Sequence, residues 1–142
     1  MIDKNTDKLM NELKDAKSIG DYLQDNAAEM RRLSLTDYLY KILAEKDMKR
    51  KTVVKNSGLD PSYVYHIFNG DKNPSRNKML AIAFGLKATV DETQNMLRQS
   101  KQALLYPRDK WDAIIISALR QGLTVVETNE LLEKLGETSF LE

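Results

Sequence analysis

Between Lys51 and Gly70 the chain runs Lys-Thr-Val-Val-Lys-Asn-Ser-Gly-Leu-Asp-Pro-Ser-Tyr-Val-Tyr-His-Ile-Phe-Asn-Gly, and its punctuation leaves few ways to fold it. Val53 and Val54 give a short first helix its apolar side, and Gly58 can end that helix because glycine enters the left-handed region without steric cost. Leu59 then turns into the core. Asp60 has the short side-chain acceptor favoured at an N-cap, and Pro61 follows at the first helical position, where its missing donor is harmless and its φ is already helical. At about 100° per residue, Val64, Ile67 and Phe68 share one side of this second helix, while Pro61, Ser62, Tyr65, His66 and Asn69 look outward. Gly70 closes it, and Asp71-Lys72-Asn73-Pro74 is a polar turn that stops any continuation.

The same signals predict an all-α chain throughout. Ser34-Leu35-Thr36-Asp37 resembles a capping box with Asp in place of Glu, and Leu33 with Tyr38 suits the accompanying hydrophobic staple. The helix it opens should run from Leu35 to about Lys46, with Leu35, Tyr38, Leu39, Ile42 and Leu43 as its core-facing stripe. Ser75 can cap a helix through Met79, Leu80, Ile82, Ala83 and Phe84 that Gly85 ends. Thr89-Val90-Asp91-Glu92 is a second capping box, opening a helix that buries Met96 and Leu97. After a break at Tyr106-Pro107, a helix from Arg108 to Gln121 carries Trp111, Ile114, Ile115, Ala118 and Leu119 on one stripe and ends at Gly122. Thr124-Val125-Val126-Glu127 is a third capping box, opening a helix with Leu131, Leu132 and Leu135 that Gly136 stops. The first 33 residues are weaker, with Leu9, Leu13 and Ala16 in one amphipathic segment and Tyr22, Leu23, Ala27 and Met30 in another; they suit a helical arm or a partly ordered extension.

The Gly58 turn, the Val64 and Ile67 core pair, and Phe68-Asn69-Gly70 followed by Pro74 together resemble the phage-repressor-like, or XRE-type, helix-turn-helix proteins. The resemblance covers about Leu35 to Leu97. It implies a five-helix repressor-like core with additional N- and C-terminal helices, divided as an arm over residues 1–33, a DNA-binding domain over 34–103 and a helical pair over 104–142. It also implies a sequence-specific transcriptional regulator, bacterial or phage-derived, that sets residues 61–69 in the major groove of double-stranded DNA. On that reading Pro61, Ser62, Tyr65 and His66 are the base-contacting candidates, with Pro61 limited to apolar contact because it has no donor. Phosphate contacts then fall to Lys49, Arg50 and Lys51 at the start of the first motif helix, to Asn69, Lys72 and Asn73, and to Arg76, with Lys78 extending the rim.

Charge supports a localised rather than a general affinity for nucleic acid. The whole chain carries 22 basic and 21 acidic residues, but residues 41–78 hold nine of the first and four of the second, and each flank is at −2. With 42% hydrophobic residues there is enough for a compact core. No cysteine means no disulfide framework and no thiolate metal site, and no long apolar run means neither a signal peptide nor a membrane span, so a cytoplasmic protein is expected. One histidine and no phosphate-cradling glycine loop argue against an enzyme, and no cofactor or metal is expected.

Two alternatives accompany this reading. Tyr63 and Tyr65 are bulkier than the small polar residues usual in such a helix, and with His66 they could instead form the face of a non-enzymatic protein-interaction module on the same fold. The Trp111 helix either covers the core or supports a homodimer, whose two-fold axis would set recognition helices about 34 Å apart, one turn of DNA.

Overall fold

Helix caps and glycine turns divide the chain as the punctuation suggests. The computed structural model describes residues 6–27 and 34–141, and among them every regular element is an α-helix. They are α1 (Thr6–Asp15), α2 (Ile19–Asp25), α3 (Leu35–Glu45), α4 (Arg50–Ser57), α5 (Pro61–Phe68), α6 (Arg76–Gly85), α7 (Val90–Gln99), α8 (Lys110–Gln121) and α9 (Val125–Lys134). The protein is all-α. None of the described helices is long and apolar enough to cross a membrane.

Two compact units result, Met1–Ser34 and Leu35–Glu142. In the first, Ser18 caps α2 by accepting from the Asp21 N–H at 3.1 Å, and α1 and α2 bury none of their residues. Met10, Leu13, Ile19 and Leu23 are exposed. Met30, expected on this arm's apolar side, and Leu33, expected in a staple with Tyr38, lie outside the described residues.

The second unit has one core. Leu39, Ile42, Val53, Val64, Ile67 and Phe68 meet Met79, Leu80, Ile82, Met96 and Leu97 there, joined by Ile115, Ala118, Leu132 and Phe140 from the C-terminal section. Helix α6 is the central strut, with every residue from Met79 to Gly85 buried. The C-terminal pair therefore shares the core of the preceding helices, and residues 104–142 are not a separate domain.

Local chemistry explains the boundaries. The Thr89/Glu92 and Thr124/Glu127 capping boxes form with both reciprocal hydrogen bonds. Helix α8 starts at Lys110, two residues later than periodicity suggested, because Asp109 acts as N-cap and accepts from the Asp112 N–H at 2.9 Å. Ser75 stands at the N-cap of α6, though its hydroxyl makes no capping bond. Gly85 corrects the sequence reading in a more telling way. It is the last residue of α6, as expected, but the left-handed closure falls to Lys87 at φ 53°, and a Cβ on Gly85 would come within 2.9 Å of the Val53 carbonyl oxygen. Glycine is there to let α4 approach α6.

Candidate functional site

The motif helices α4 and α5 are joined through Gly58, which caps α4 at φ 72°. Buried Ser57 tightens the corner by donating to the Val54 carbonyl and accepting from the Leu59 N–H. Asp60 then accepts from the Ser62 N–H at 2.8 Å and from the Tyr63 N–H at 3.4 Å, so both donors of the first α5 turn are met by one carboxylate. At the other end Gly70, at φ 81°, lets the Asp71 N–H reach the His66 carbonyl and the Gly70 N–H reach Ile67, a Schellman closure.

Helix α5 is thereby fixed with one face buried and one offered outward. Val64, Ile67 and Phe68 are 1% exposed or less, whereas Pro61, Ser62, His66 and Asn69 are exposed. His66 Nδ1 lies 3.3 Å from an Asp71 carboxylate oxygen, both side chains being more than half exposed. Ser62, His66 and Asn69 make the centre of the outward face, and the two tyrosines flank it half-buried. Tyr65 has the Arg50 guanidinium 5.1 Å from its ring centroid, while Tyr63 has Lys78 at 4.3 Å and Lys72 at 5.1 Å. Being two residues apart, the rings point about 160° away from each other around the helix and do not form a shared patch.

The basic candidates separate into two groups. Lys49, Arg50 and Lys51 are exposed at the N-terminus of α4, where Lys49 is the N-cap residue and supplies no side-chain acceptor. Among the described residues none of these three, nor Lys72 or Lys78, has a carboxylate at ion-pair distance. Cations oppose the helix dipole at an N-terminus, so this grouping costs stability and favours an anion.

Arg76 belongs elsewhere. Its Nε donates to the Ala103 carbonyl at 2.9 Å, Nη2 donates to the Leu104 carbonyl at 3.0 Å, and the two Nη atoms grip the Asp112 carboxylate at 3.1 and 2.9 Å. Expected on the phosphate rim, it instead ties α6 to the loop before α8, because a buried carboxylate in a distant helix occupies its fork. Asp112, in the first turn of α8, is 6% exposed and also accepts from the Tyr106 N–H. Asn73 is likewise committed on its donor side, to the Ser100 carbonyl at 3.0 Å.

Three residues with a hand in this geometry were not evident in the sequence. Tyr40 on α3 accepts from Arg50 Nη1 at 3.4 Å and sits edge-on to Phe68, with centroids 5.5 Å apart. Ser57 and Gly85 set the seat of α4. Only Tyr40 left a signal, as a large aromatic off the apolar stripe of its helix. Among the described residues no group of three His, Asp or Glu side chains is placed to hold a metal ion. Compared with protein-family models, with curated proteins and with solved structures, the chain gives no significant match.

Proposed function

We propose that this chain is a sequence-specific double-stranded-DNA-binding protein, a helix-turn-helix transcriptional regulator of the phage-repressor-like class, which lays α5 in the major groove. The observation that carries this reading is the N-terminus of α4. Three exposed cations stand there without a capping acceptor, Arg50 among them against the Tyr65 flank of α5, in a unit that pairs Lys46, Arg76 and Lys110 with its own carboxylates. A helix with its side chains is about 10–12 Å across and the major groove about 12 Å wide, so α5 fits as a reading element while α4 meets the backbone. Ser62 and His66 read base edges, with Pro61 in apolar contact. Lys49, Arg50, Lys51, Asn69 and Lys72 hold phosphates.

The protein-interaction reading draws less support, because Tyr63 and Tyr65 lie on opposite flanks of α5 and each already carries a cation. For a homodimer, the stripe of α8 is occupied within its own unit; what remains is a groove of about 410 Å³ between α8 and α9, lined by Ala113, Ile114, Leu131 and Leu135.

The test is fluorescence anisotropy with a pool of random duplexes across a salt series, followed by selection and sequencing of the bound fraction. Enrichment of a motif with a steep salt slope is expected, and no binding at low salt would overturn the reading. Within it, His66→Ala should relax base preference by about 1 to 3 kcal/mol, whereas Lys51→Ala should weaken all sequences alike and reduce the salt slope by about one.

A further inference from the structure

The tyrosines of α5 are hard to place as readers of bases, since each is half-buried and holds a cation over its ring. On one flank the Arg50 guanidinium lies 5.1 Å from the Tyr65 centroid and donates to the Tyr40 hydroxyl at 3.4 Å. Tyr40 is itself fixed at 74° to the ring of buried Phe68, so α3, α4 and α5 all contribute to holding one guanidinium. On the other flank Lys78 from α6 and Lys72 from the preceding turn lie 4.3 and 5.1 Å from the Tyr63 centroid.

Resting on the DNA-binding reading, we infer that Tyr65 and Tyr63 are positioning residues for two phosphate clamps, Arg50 on one side of α5 and Lys72 with Lys78 on the other. The clamps grip the two backbone ridges that border a single major groove. A helix that fills a groove about as wide as itself has one ridge against each flank, and the clusters lie on those flanks, about 160° apart across the outward face. A ring is suited to this task in a way a carboxylate is not. It attracts and orders a long cationic side chain through its quadrupole without neutralising the charge, so the cation is pre-arranged and still available to an anion. The acid next to Lys72 in sequence, Asp71, is engaged by His66. Tyr65 is thus moved from the base-reading set to the positioning set, and base choice rests with Ser62 and His66.

The test uses the full chain, the duplex enriched by selection and a scrambled duplex of equal length. Tyr65→Leu and Tyr63→Leu should each lower affinity about two- to fivefold on both duplexes alike. Each should also flatten the salt slope by up to about one, with base preference unchanged. Tyr65→Phe and Tyr63→Phe keep the ring and should restore both quantities. Should a leucine variant fold poorly, Arg50→Gln and Lys78→Gln at exposed positions must produce the same loss of slope. Ring-current shifts of the Arg50 δ and Lys78 ε protons in the free protein report the clamps without DNA. Leucine variants that alter which bases are preferred, or that bind with wild-type affinity and slope, would overturn the clamps while leaving DNA binding standing. Wild-type protein that shows the ring-current shifts yet binds no duplex at low salt would overturn both, and would point the same cations at an acidic protein surface.

Discussion

Arg50 and Arg76 are each set over an aromatic ring, at 5.1 Å from Tyr65 and 6.0 Å from Trp111, yet they serve opposite ends. Arg76 has a buried carboxylate, two carbonyls and a side chain 24% exposed; Arg50 has a phenol hydroxyl, no acid among the described residues, and an exposed position. The contrast separates a charge used to close the fold from one left for a partner. A guanidinium whose fork is filled by a planar acid is satisfied where it stands. One that is merely positioned still has donors to offer.

Breaking the closed side should have the largest effect. Asp112→Ala strands the Arg76 guanidinium and removes the acceptor of the Tyr106 N–H, so a loss of about 3 kcal/mol is expected in urea unfolding. A loss below 1 kcal/mol would mean that the pair does not hold the loop before α8 to α6.

Where the two regions meet, at the seat of α4 on α6, Gly85→Ala should cost about 1 to 3 kcal/mol through overpacking against the Val53 carbonyl. Helix propensity alone favours alanine by about 1 kcal/mol, so the sign of the measured change decides whether close approach or propensity governs.

A smaller effect belongs to the Thr89/Glu92 box. Burial pushes the Glu92 pKa up, but the Thr89 N–H and the Lys46 ammonium, 3.1 Å away, outweigh it and hold the carboxyl below its ordinary 4.5. A folded-state pKa below the unfolded one gives stability that is fully present above pH 4.5 and is lost as the pH falls through the folded value. Urea midpoints of the wild type should therefore fall more steeply below pH 4.5 than those of Glu92→Gln, and Thr89→Ala should cost about 1 kcal/mol at neutral pH.

Least of all should happen to stability at the open side. Arg50→Gln is expected within about 0.5 kcal/mol of wild type in thermal unfolding. A large loss there would erase the contrast with Arg76 and make both arginines structural.

Sequence by itself determined the all-α class and most helix boundaries, because caps, glycine turns and apolar spacing act over four or five residues and are written contiguously. Both complete capping boxes, the Gly58 turn, the Asp60 cap and the buried face of α5 follow from such local chemistry. So does the outward placement of Ser62, His66 and Asn69, since a helix with a known buried stripe has a known exposed one. Tertiary structure alone decided what the charges and rings do. Asp112 lies 36 residues from Arg76, Tyr40 lies 10 from Arg50, and the Val53 carbonyl that requires Gly85 is on another helix; no spacing rule reaches across these separations. Side chains alike in sequence, two arginines and two tyrosines among them, acquire different roles only when the packing of α3 to α8 supplies or withholds a partner.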